Sequence, residues 1–153
     1  MAFDASKLNN VDRAIVGGGG LAFVAAFLPW WGYSGPLHLY GASVSGWSAG
    51  FTAWAGSLLL TVAAVYLLLR RADVSTPKLP VGPAVAVAGV SAVGLLLVII
   101  RWLTLPRVGA GLAGSVGPRY GIWLAMIAGI VEVVGAVLEF RTSGESLPWD
   151  KSA

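Results

Sequence analysis

A chain of 153 residues that is 57% hydrophobic and only 11% charged has too few charges to cover a soluble globule, because soluble domains carry about a quarter charged residues. The net charge of +3 is spread along the chain, which argues against a nucleic-acid interface, since that needs a basic stripe. The absence of cysteine excludes disulfides, cysteine-ligated zinc and thiol chemistry. We therefore expect lipid to be the solvent of this chain.

Four apolar runs follow a polar head (1–13) and precede a polar tail (141–153). The runs cover about 14–31, 47–69, 81–103 and 120–140. Each is about long enough to cross a bilayer as a helix. A cleaved signal peptide is the alternative for the first run, but the Phe-Leu-Pro-Trp-Trp that ends it offers no small-residue cleavage site. The sequence thus predicts a single all-α domain, an integral membrane four-helix bundle with short loops.

Basic residues are unequally divided between the two sides of such a bundle. Seven lysines and arginines fall in the head, the second loop and the tail. The other side has three, which are Arg101, Arg107 and Arg119. The positive-inside rule therefore predicts that both termini are cytoplasmic.

Small residues predict where the helices approach one another, because helices in lipid pack through small side chains. The first run contains four consecutive glycines, Gly17, Gly18, Gly19 and Gly20. The fourth run places Gly129 and Gly135 on the same stripe as an acid, Glu132. We expect these glycines to pack the helices and the acid to face the bundle.

Glu132 is the one acid at membrane depth, where a carboxylate is costly. Counting residues from the helix ends places Thr61 and Ser91 near its depth and Arg101 roughly 18 Å higher. We expect both hydroxyls to hydrogen-bond a protonated Glu132, since desolvation disfavours the charged form. Three interpretations stay open: a neutral acid that joins helices, a proton- or cation-handling site, and a contact to a partner's membrane helix.

Aromatic and basic residues flank the outer loops. Three tryptophans lie near the first outer loop: Trp30, Trp31 and Trp47. They predict an aromatic belt at the membrane interface or a docking surface. The three arginines on this side could hold lipid phosphates or an anionic partner, or extend to the interface without a ligand.

The motifs favour no catalytic chemistry and predict no cofactor. Residues 109–114 match G-x-G-x-x-G, but a dinucleotide site needs a strand before the motif and a helix after it. His38 has no second metal ligand in its loop. We therefore expect neither an enzyme nor a metal site.

Five short runs resemble a group of small four-helix membrane proteins of actinobacteria. They read FLPWW (27–31), VSGW (44–47), LPVGP (79–83), RWLTLP (101–106) and SGESLPW (143–149). The resemblance implies a four-helix membrane fold and no chemistry. The shape is also similar to claudin-like four-span proteins, but the outer loop lacks their paired cysteines, so nothing is transferred from them.

We expect an interaction or accessory subunit in a bacterial plasma membrane, which packs with itself or with a larger membrane protein. The alternative is a small transporter or channel with Glu132 as its proton- or cation-handling carboxylate. A third possibility is a lipid-handling protein that uses the outer aromatic residues and arginines. A wet cavity that reaches Glu132 would favour transport, and a lateral opening near Trp30, Trp47 and Arg101 would favour lipid handling.

Overall fold

The computed structural model describes residues 5–35, 41–107, 114–147 and 150. Four helices are present: α1 (Asn10–Ala25), α2 (Phe51–Arg71), α3 (Pro83–Thr104) and α4 (Tyr120–Ser143). Three short strands are present: β1 (Pro29–Ser34), β2 (Gly41–Ser45) and β3 (Ser115–Pro118). A 3-10 turn, Ala5–Lys7, precedes α1. His38, most of the 109–114 motif and the Pro-Trp of the tail lie outside the described residues.

The four helices pack side by side, and each contacts its two neighbours around the bundle: α1 with α2, α2 with α3, α3 with α4, and α4 with α1. Their shared core consists largely of alanines with a few larger side chains such as Leu60, Val98 and Ile122. Among the described residues, α2, α3 and α4 are each long and apolar enough to cross a membrane. The predicted set of four helices is therefore confirmed.

The first helix ends earlier than predicted. α1 has 16 residues, which is about 24 Å of helix and short of the ~30 Å hydrocarbon core. The buried Trp30 indole Nε1 donates to the carbonyl of Ala25 at 2.8 Å, so the side chain satisfies an end group of α1. Pro29 then begins β1. The predicted span 14–31 is wrong at its end, because residues 26–31 form a turn and the start of a strand.

The loops at this end of the bundle form an antiparallel sheet in the order β2-β1-β3. Tyr33 of β1 lies opposite Ala42 of β2 and Val116 of β3. The prediction that the domain is all-α is therefore incomplete. These strands are short and rich in glycine and serine, which weakens any strand signal in the sequence. Their pairing nevertheless satisfies the backbone N–H and C=O groups of these connecting segments.

The bundle has two chemically different ends. The sheet end contains the three strands, the start of α2 and the end of α3. The opposite end, here named the ion-pair end, contains Arg71 at the end of α2, which bonds Asp12 of α1 and Glu139 of α4. The start of α1 and the end of α4 therefore lie at the same end of the molecule.

Candidate functional site

Glu132 faces the interior of the bundle and has no exposed surface. The Ser91 hydroxyl of α3 donates to Glu132 Oε1 at 2.7 Å, as the sequence predicts. The other oxygen, Oε2, has no hydrogen-bond partner among the described residues. No described basic side chain pairs with this carboxyl group. Because a buried carboxylate without a cation is very costly, the surroundings favour the neutral acid.

Two of the four consecutive glycines allow α1 to lie directly against this acid. A methyl group on Gly18 would lie 2.7 Å from Glu132 Cβ and 2.8 Å from the carbonyl oxygen of Ala128. A methyl group on Gly19 would lie 2.8 Å from the carbonyl oxygen of Leu60 and 3.3 Å from Glu132 Oε2. Gly18 and Gly19 therefore exclude water from the acid by bringing backbone against it.

The remaining predicted packing glycines divide into two classes. A methyl group on Gly129 would lie 2.9 Å from a Leu95 methyl, and one on Gly135 would lie 2.9 Å from Ile15 Cγ1. Both therefore pack helices as predicted. Gly17 and Gly20 are exposed, and nothing lies within 4 Å of a methyl group placed on either. No packing role within the described part of the chain explains these two glycines.

The predicted hydrogen bond from Thr61 to Glu132 is absent. The Thr61 hydroxyl donates to its own helix at the carbonyl of Ser57, 2.8 Å away, and lies 3.4 Å from the carbonyl of Gly19. A threonine inside a helix commonly bonds the carbonyl four residues earlier. Thr61 thus connects α2 to α1 near the acid without contacting it.

A partly buried ion-pair network, which the sequence pattern does not predict, lies at the ion-pair end. Arg71 donates to both oxygens of Asp12, at 3.0 and 2.8 Å, and to Glu139 Oε1 at 2.8 Å. Asp12 is 1% exposed. Its second role is in the capping box of α1, where its backbone N–H donates to Asn9 Oδ1 at 2.8 Å. One arginine therefore joins the ends of three helices.

The tail contributes a further carboxylate to this end. Glu145 Oε2 accepts hydrogen bonds from the backbone N–H groups of Ala84 and Val85, at 3.0 and 3.1 Å. These are free donors in the first turn of α3, and Gly82 at its N-cap has no side chain to satisfy them. Glu145 therefore attaches the start of the tail to α3.

The tryptophans at the sheet end do not form one interfacial belt. Trp30 has no exposed surface. A methyl group on Gly46 would lie 2.7 Å from its indole, and one on Gly121 would lie 2.9 Å from it. The expected interfacial position of Trp30 is therefore wrong. Trp31 and Trp47 are half-buried, and Trp47 packs edge-on against the rings of Phe23 and Phe27.

The three arginines of the sheet end are held in different ways. Arg101 lies beside Gly50, at the start of α2, and the structure keeps it away from Glu132. Arg107 stacks over the Trp102 ring, with Cζ 4.9 Å from the centroid, and donates to the Trp102 carbonyl. Arg119 lies across Gly32 of β1 and donates to the Ser34 hydroxyl.

The described residues thus form a fully buried acid, Glu132, that lies between the arginines of the sheet end and the ion pairs of the ion-pair end. Among them, no group of three or more His, Cys, Asp or Glu could hold a metal ion. Comparisons with protein-family models, with curated proteins and with solved structures find no match. Function must therefore be inferred from the contacts of this chain.

Proposed function

We propose that the protein is a small integral membrane protein of a bacterial plasma membrane, without catalytic activity, and that it acts as an interaction or accessory subunit. Three helices long and apolar enough to cross a membrane support the location. Both ends of the helical region lie at the ion-pair end, which carries most of the basic residues. This distribution supports cytoplasmic termini.

The exposed glycines of α1 carry the proposed interaction role. A glycine inside a helix costs about 1 kcal/mol relative to alanine. Gly18 and Gly19 offset that cost by close contact with α4 and α2, whereas Gly17 and Gly20 face open space. In lipid, such glycines let a second helix approach the backbone closely. We infer that a helix of a partner, or of a second copy, packs on this face of α1.

The two alternatives receive less support. A transporter needs access to its coupling carboxylate, whereas Glu132 has no exposed surface and is bonded by Ser91. A lateral lipid entrance beside Trp30 would need that side chain near the surface, whereas it is fully buried. The complete burial of Glu132 therefore favours a structural role for this residue within an accessory subunit.

The proposal is tested by placing bulky side chains on the exposed glycines. The variant Gly17→Ile/Gly20→Ile should fold but lose its self-association or its companion subunit after purification in a mild detergent. Ala92→Ile, on an exposed position of α3, is the matched control and should keep the assembly. Molecular mass in detergent and quantified companions are the measurements. A wild-type protein that is a monodisperse monomer without companions would overturn the proposal.

A further inference from the structure

We propose that the sheet end binds the phosphate groups of anionic membrane lipids through Arg101, Arg107 and Arg119. This inference rests on the proposed membrane location, and it adds a ligand of defined chemistry to it. Three features of the molecule support it: the charge balance of the two ends, the contacts that hold the three guanidinium groups, and the apolar surface beside them.

The two ends differ in the carboxylates that are available to their cations. At the ion-pair end, Arg71 bonds two carboxylates and Lys7 lies 3.4 Å from Asp73. The sequence has no acid between Asp12 and Asp73 and none between Asp73 and Glu132. These stretches include both loops of the sheet end, so those loops contain no counter-ion. We infer that the anion that balances the three arginines comes from outside the chain.

Arg101 is half-buried. Its Nε is buried and has no hydrogen-bond partner among the described residues. Its Cζ and Nη1 each lie 3.6 Å from where a methyl group on Gly50 would be. Gly50 immediately precedes α2, whose N-terminal dipole is positive and adds to the guanidinium charge. An anion near Arg101 would therefore relieve repulsion within the chain.

Arg107 is held at an aromatic surface of the kind found at lipid headgroups. It stacks on Trp102, whose ring packs edge-on against Trp123 at 5.6 Å between centroids. Trp123 is 44% exposed. Tryptophans concentrate at the membrane–water interface, and stacking holds the guanidinium there. The planar fork of an arginine can then contact two oxygens of one phosphate.

The surface beside these arginines favours a lipid over free phosphate. Leu103 and Tyr120 adjoin the arginine-bearing segments, and both are more than half exposed. Arg119 lines an open cavity of about 330 Å³, together with Ser34, Ser115 and Gly117. Cationic groups beside exposed apolar side chains match an amphiphile, with phosphate at the arginines and acyl chains along the helices.

Lipid titration of the full chain in a neutral detergent, followed by native mass spectrometry, tests this inference. The probe is dioleoylphosphatidylglycerol, which is anionic. Dioleoylphosphatidylcholine, which has no net charge, is the comparison lipid. The triple variant R101Q/R107Q/R119Q should weaken phosphatidylglycerol binding by about tenfold or more, because each surface arginine favours anionic lipid. The matched control R13Q/R70Q/R141Q makes the same change in net charge at exposed positions of the opposite end and should weaken binding clearly less than the first variant does, because the carboxylates of that end repel an anionic headgroup.

Each other outcome decides against a part of the inference. Equal weakening in both triple variants, or no weakening in the first, overturns the assignment to the sheet end. Displacement of phosphatidylglycerol by millimolar inorganic phosphate would indicate a free-phosphate site. If the glutamine variant loses its helical circular dichroism, R101K/R107K/R119K replaces it and should show partial weakening. A protein that stays soluble without detergent would instead overturn the membrane location.

Discussion

Gly18 and Gly17 are adjacent in sequence but differ in what surrounds them, and the difference is testable. Gly18→Ala should lower the stability of the protein by about 1–3 kcal/mol, because the new methyl group meets Glu132 and the Ala128 carbonyl. Gly17→Ala meets nothing and should raise stability by up to about 1 kcal/mol. Thermal unfolding in detergent measures both. Equal effects would show that α1 does not lie against α4 as described.

The hydrogen bond between Ser91 and Glu132 predicts a modest coupling energy. Ser91→Ala should cost about 0.6 kcal/mol and at most about 1.7, as for hydrogen bonds between membrane helices. In a Glu132→Leu background the same change should cost almost nothing. A double-mutant cycle measures the difference. A coupling of about 2–3 kcal/mol would instead show that the carboxyl group is charged, since hydrogen bonds to charged groups contribute about 1.5–3 kcal/mol.

At the scale of single residues, the sequence predicts what depends on helix depth and face. It places Ser91 beside Glu132 and turns Glu132 inward, because residue counting and the stripe of small residues both report position within a helix. It is wrong for Thr61, whose hydroxyl bonds its own helix. It is also wrong for Trp30, because the closeness of Gly46 and Gly121 depends on how distant segments fold together.

Among the elements, α1, α2 and α4 are joined at one end by Arg71. Arg71→Leu should destabilise the protein by about 3 kcal/mol or more, because it leaves the buried Asp12 carboxylate without its cation. Arg70→Leu changes an exposed neighbour with no described ion pair and is the control. Unfolding free energies of the two variants provide the comparison. Similar losses for both would mean that the network contributes no specific stability.

The tail carboxylate that caps α3 makes a local prediction. Glu145→Ala should cost about 1 kcal/mol, the usual effect of losing a helix cap, and should speed amide hydrogen exchange in the first turn of α3. Ser146→Ala, at the next and exposed position, should change neither quantity. Unaltered exchange at Ala84 and Val85 in the Glu145 variant would contradict the cap.

For the elements, hydrophobic length predicts the helices well and their ends less well. α2, α3 and α4 begin and end within a few residues of the predicted runs, since apolar composition defines them. α1 ends early because the Trp30 indole and the strand that follows replace its last turns. The sheet is not predicted for two reasons. β1 and β3 pair across more than half of the chain, which leaves no local pattern, and the β1–β2 hairpin is short and contains glycine and serine.

For the whole molecule, the distribution of basic residues predicts that the ion-pair end is cytoplasmic. Because the chain has no cysteine, single introduced cysteines can report this topology. Ser43→Cys lies on β2 at the sheet end, and Ser146→Cys lies in the tail, both at exposed positions. In intact cells, a membrane-impermeant maleimide should label Ser43→Cys. Ser146→Cys should react only after the membrane is opened. The reverse pattern would place the sheet end in the cytoplasm.

The position of Glu132 on the last helix has a consequence for synthesis. The groups that shield it, Gly18 and Gly19 on α1 and Ser91 on α3, are all made before it. Since an acid exposed to lipid is costly, we expect α4 to leave the insertion machinery by docking onto helices that are already assembled. Because Ser91 and the two glycines precede Glu132 in the chain, we expect the biogenesis of this small protein to depend on the order of its helices.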